Sequence, residues 1–89
     1  MKHVVPTYIR RRNREIALQI AERLENEVHR VRVNDDKAAH VSIWVDEKRR
    51  VEWWPGPGHW RDWSGKKHRG SPLAFVKFVR AAVAETVPA

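Results

Sequence analysis

The sequence predicts an α+β fold in the order α-β-β-β-(β)-α, an antiparallel sheet of three or four strands with both helices packed on one face. Three observations carry this expectation. Apolar residues recur at helical spacing near each end of the chain. Between those stretches they alternate in short runs separated by turn residues. A length of 89 residues with no cysteine leaves room for one small core and no disulfide framework. Residues 1–89 are read as a single domain, with residues 1–12 as a basic arm ahead of it.

The first helix follows from Ile16, Ala17, Ile20, Ala21, Leu24 and Val28, which share one face at steps of three and four. It is expected over about 13–29, with Asn13 as cap, or from Thr7 if Tyr8 and Ile9 are included. Val31 and Val33 alternate with Arg32 in a first strand, ended by Asn34-Asp35-Asp36-Lys37. Val41, Ile43 and Val45 share a face of the second, and Asp46-Glu47-Lys48 turns into a third over Arg50–Trp54. Pro55-Gly56-Pro57-Gly58 interrupts regular structure, and residues 60–63 are a candidate fourth strand. Ser64 to Gly70 reads as a basic loop. Ser71-Pro72 opens the second helix as N-cap and first helical residue, with Leu73, Val76, Val79 and Val83 as its core stripe, widened by Phe75, Phe78 and Ala82.

Period two then divides the sheet. If Val31, Val33, Val41, Ile43, Val45, Val51 and Trp53 meet the helices, Arg30, Arg32, Ser42, Trp44, Glu52 and Trp54 line the other face. Trp60 and Trp63 are expected to fold back over that face as a cover.

Charge is the strongest functional signal. The formal net charge is +7, and it is divided: residues 1–14 carry a local +5, residues 15–47 a local −4 and residues 48–69 again +5. Two basic zones of this kind suit an anionic partner, because clustered Lys and Arg release counterions from a phosphate backbone. The expected contacts are Lys66, Lys67, His68 and Arg69 before the second helix, with Arg10, Arg11, Arg12 and Arg14. RNA and DNA are not distinguished. Trp44, Trp54, Trp60 and Trp63 are candidate contacts for a base or a protein surface.

Element order and the basic segment before the second helix resemble the double-stranded-RNA-binding domain. That resemblance implies phosphate binding at Lys66, Lys67 and Arg69. His40, at the start of the second strand in Ala38-Ala39-His40-Val41, resembles the histidine of HicA-type mRNA interferases, which implies ribonuclease chemistry with His40 as its one catalytic residue. The Gly-Ser that precedes that family's histidine is Ala-Ala here, and residues 55–69 are an insertion. Trp54-Pro55-Gly56-Pro57-Gly58-His59-Trp60 resembles the Trp-Pro-x-x-Gly-x-Trp signature of small phage- and prophage-encoded proteins. This last family has no assigned activity, so it implies a phage setting and transfers no function.

The expectation is a small basic phage-type accessory protein that binds nucleic acid. An inhibitor of a host protein and a HicA-like ribonuclease are the alternatives. No cofactor, metal site, small-molecule substrate or membrane association is expected, and the cytoplasm of a bacterial host is the expected location. The chain lacks Walker A, dinucleotide-binding and nucleophile-elbow motifs, and His59, Asp62 and His68 fall short of a zinc ligand set.

Overall fold

Helix α1 (Thr7–Leu24) opens the computed structural model, which describes residues 5–35 and 38–85. Strands β1 (Arg30–Val33), β2 (Val41–Trp44), β3 (Arg50–Trp54), β4 (His59–Arg61) and β5 (Lys67–Arg69) follow, and helix α2 (Pro72–Glu85) closes the order. The five strands pair with their sequence neighbours in one antiparallel meander. The fold is therefore the expected α+β arrangement with a wider sheet. Among the described residues no helix is long and apolar enough to cross a membrane.

The extra strand corrects the basic-loop expectation. Lys67-His68-Arg69 pairs with β4 in the register His59↔Arg69, Trp60↔His68 and Arg61↔Lys67. Asp62 holds the hairpin: its Oδ1 accepts from the Ser64 and Lys66 amides and the Ser64 hydroxyl, and its Oδ2 from His68 Nε2 at 2.8 Å. His68 turns inward, stacked on Trp60 at 5.5 Å. A polar tripeptide becomes a strand because its one inward residue is a flat ring with a bonded nitrogen.

The Pro-Gly segment is the turn of the preceding hairpin. Gly58 N–H donates to Trp54 O, and Gly58 takes φ +79°, a conformation glycine adopts without steric cost. Four turn residues leave Trp54 opposite His59 and Trp53 opposite Trp60. Trp60 thus shares the helix side with Trp53 and does not cover the other face. Trp63 packs against Phe78 of α2, beneath the Arg49 guanidinium at 4.9 Å.

The core lies between sheet and helices, with Val41, Ile43, Val51, Trp53 and Trp60 facing Ala17, Leu24, Phe75, Val79 and Ala82. Phe75 stacks on Trp53 at 4.0 Å and 10°, and this contact sets the rotation of α2. Phe75 and Val79 are consequently buried, while Leu73, expected in the stripe, is 64% exposed. Ile20 and Val76, expected to be inaccessible, are half-buried beside Leu73 in a shallow groove between the helices. Ser71 caps α2 as expected, its Oγ accepting from the Ala74 amide at 3.2 Å.

Helix α1 starts at Thr7, so Arg10, Arg11 and Arg12 are helical, and residues 1–4 of the expected arm lie outside the described residues. Ile9 and Asn13 explain the early start. Ile9 borders Pro57 and Gly58, and Asn13 Nδ2 donates to Gly56 O at 3.3 Å instead of capping the helix. The helix ends at Leu24, five residues before the expected limit, where Val28 turns to pack against the core.

Candidate functional site

With both helices on one side, no described residue forms a layer over the other face of the sheet. Its side chains stand in three cross-strand rows. The first is Arg30, Trp44 and Arg50. The second is Arg32, Ser42, Glu52, Arg61 and Lys67. The third is Trp54, His59 and Arg69, extended by His40. Rows lie about 6.8 Å apart along the strands, and neighbouring strands are about 4.8 Å apart. Among the described residues, the strands place six Lys or Arg side chains and one carboxylate, Glu52, on this face.

The aromatic residues are held by planar neighbours. Arg30 lies over the Trp44 ring at 4.9 Å and Arg50 at 5.8 Å, both in cation–π range. Trp54 is stacked between His40 at 4.9 Å and His59 at 5.1 Å. Both tryptophans are half-buried, so they form the floor beneath the longer cations.

Glu52 is tied down. Its Oε1 accepts from Ser42 Oγ at 2.7 Å and lies 2.7 Å from His40 Nε2, and its Oε2 is 3.0 Å from Arg50 Nε. Asn34 Nδ2 donates to Ser42 Oγ at 3.0 Å and lies 3.1 Å from His40 Nδ1. One tautomer satisfies the set: His40 Nε2–H donates to Glu52 while Nδ1 accepts from Asn34. His40 therefore has both ring nitrogens engaged and one face covered.

At the β4–β5 end the balance reverses. Arg61 faces Lys67 across the β4–β5 ladder, where side chains directly opposite have Cβ atoms about 4.5–5.5 Å apart and like charges destabilise, and faces Glu52 across β3–β4; His59 faces Arg69 in the next row. Among the described residues none of Arg61, Lys67 and Arg69 has a carboxylate partner. They border a depression of about 480 Å³ with Trp54 and His59, and its lining contains no acid. Burial, then the charges of Arg69 and Lys67, hold the His59 imidazole below its ordinary pKa. A second depression of about 440 Å³ lies on the other side of Arg61, bordered by Trp44, Arg50, Glu47, Glu52, Asp62 and Trp63.

The structure thus redistributes the expected site residues. Lys67 and Arg69 stand on the open face, His68 points to the core and Lys66 sits exposed in the β4–β5 turn. Trp44 and Trp54 share the open face, whereas Trp60 is buried and Trp63 lies against α2, so the four tryptophans form no single patch. Arg10 and Arg14 pack beside Gly56, and Arg11 and Arg12 are exposed on the helix layer. Among the described residues the two basic zones approach each other at an edge, where Ile9 and Asn13 of α1 border the same cleft as Arg69. Arg50, His59 and Arg61 were missed as site residues. The alternation of His59, Trp60 and Arg61 around one inward tryptophan was the available signal.

Compared with known protein families, curated proteins and solved structures, the chain finds no match.

Proposed function

We propose that this protein binds nucleic acid, RNA or DNA, on the open face of its sheet, with Arg61, Lys67 and Arg69 as the principal phosphate contacts. The observation that carries the reading is the set of like charges at β4–β5. Arg61 stands between Glu52 on β3 and Lys67 on β5, with Arg69 beside His59 in the next row, and the depression these three cations border is lined by no acid, a setting that a bound phosphodiester complements. Arg30, Arg32 and Arg50 extend the positive surface toward the opposite edge.

In this reading His40 is a positioning residue. It braces one side of Trp54 and, with Ser42, holds the Glu52 carboxylate by hydrogen bonds low in the face. Contact through the backbone of the ligand implies weak sequence preference and strong salt dependence.

The test is fluorescence anisotropy with labelled 12-nucleotide RNA and DNA, as single strands and as duplexes, at two salt concentrations. Binding of at least one form that weakens with salt and is lost in Arg61→Glu/Lys67→Glu supports the proposal. Absence of binding to every form at low salt, or binding indifferent to that charge reversal, overturns it.

A further inference from the structure

The two depressions flanking Arg61 differ in charge, and the difference bears on which form of nucleic acid the face takes. The one between the second and third rows, bordered by His59, Arg61, Lys67 and Arg69, contains no acid. The one beside Trp44 is bordered by three carboxylates, Glu47, Glu52 and Asp62, as well as by Lys48, Arg50 and Arg61. A duplex presents phosphates along both strands and keeps its base faces stacked inside. Laid across this sheet, it would bring phosphates over the carboxylates as well as over the cations. A single strand separates the two chemistries, because phosphate and base project from the sugar in different directions.

We infer that the face is built for single strands, with a phosphate between Arg61, Lys67 and Arg69 and an unpaired base against the Trp44 wall of the neighbouring depression. The inference rests on the nucleic-acid reading of the same face. Four further features agree with it. Both helices lie behind the sheet, so no helix is available to enter a major groove. The Arg30 and Arg50 guanidiniums on Trp44 are planar groups on which an exposed base stacks, and duplex bases are closed to such contact. Glu47, exposed at the rim, accepts from the exocyclic amines of cytosine, adenine and guanine, which are more accessible in an unpaired strand. Each depression, at about 440 and 480 Å³, is within the range of a small-ligand site.

The experiment compares one 12-nucleotide sequence, its complement and their duplex, as DNA and as RNA, by anisotropy at a fixed salt concentration. Single strands are expected to bind at least tenfold tighter than the duplex, the scale of one stacked base. Trp44→Leu is expected to lower single-strand affinity about tenfold more than duplex affinity, and so to narrow the ratio between them. Duplex binding equal to or tighter than that of both single strands overturns the inference while leaving the nucleic-acid reading intact. Failure of every form to bind overturns the reading itself. Should Trp44→Leu fail to fold, the single-strand to duplex ratio of the unaltered protein decides.

Discussion

Replacing Arg61, Lys67 and Arg69 together by threonine separates what these residues do for binding from what they do for folding. Threonine keeps strand propensity while removing three charges. If each cation holds one phosphate of a single strand, each contributes about 0.7 to the slope of log affinity against log salt, so the variant's slope is flatter by about 2 units. Between 50 and 200 mM salt the affinity gap between parent and variant then narrows by about 20-fold, since salt rises fourfold. Stability should move little. Removing the Arg61↔Lys67 opposition is offset by losing the Arg61↔Glu52 pairing across β3–β4, so the hairpin changes by less than about 1 kcal/mol. Anisotropy across a salt series and urea denaturation of both proteins give the two numbers. An unchanged salt slope would refute the phosphate assignment, and a stability change above about 1 kcal/mol would refute the offset between these two pairings.

Three other outcomes follow from the same contacts. Phe75→Ala removes a fully buried ring stacked on Trp53 and should cost about 3–5 kcal/mol, enough to leave a domain of this size at the edge of unfolding in a urea titration. Asp62 is desolvated, which alone would raise its pKa, but hydrogen bonds from His68, Ser64 and Lys66 bring it down to about 2 from 3.8. Its contribution is therefore present above pH 3.8 and lost as pH falls toward 2, and Asp62→Asn at neutral pH should cost on the order of 1 kcal/mol after allowance for screening at the hairpin end. His59 has its pKa lowered from 6.5 by burial and by Arg69 and Lys67, so the unfolded chain binds the proton first and stability declines as pH falls below 6.5. A phosphate on Arg69 and Lys67 relieves that repulsion, so binding takes up a proton and affinity should rise over the same interval, in calorimetry repeated in buffers of different ionisation heat. His59→Gln should abolish both trends.

Much of this arrangement was legible in the sequence, and the failures share a cause. Ser71 before Pro72 announced the second helix through local hydrogen bonding, and alternation in Val41–Trp44 and Arg50–Trp54 placed Trp44 and Trp54 on the open face. The misreadings concern features decided by contacts distant in sequence. Residues 10–14 look like a solvated arm until Asn13 is seen to meet Gly56, 43 residues away. β4 and β5 have three residues each, with Trp60 and His68 as their inward side chains, too short for periodicity to declare a strand. The site followed from that error, since Arg61 joins Lys67 and Arg69 only once both short strands are in register. The rotation of α2 was set by Phe75 meeting Trp53, a pairing between two distant apolar residues that no local pattern specifies.

The most direct test of the open-face claim uses the five tryptophans as reporters in a ¹H–¹⁵N correlation spectrum recorded during titration with a 12-nucleotide single strand. Trp44 and Trp54 lie on the open face, Trp53 and Trp60 are 0% and 4% exposed beneath the helices, and Trp63 rests on Phe78. The indole N–H signals of Trp44 and Trp54 should move with the titration, and that of Trp63, which borders the Trp44 depression, should follow, while those of Trp53 and Trp60 stay in place; movement confined to Trp63, or no movement of Trp44 and Trp54 at saturation, would contradict the assignment.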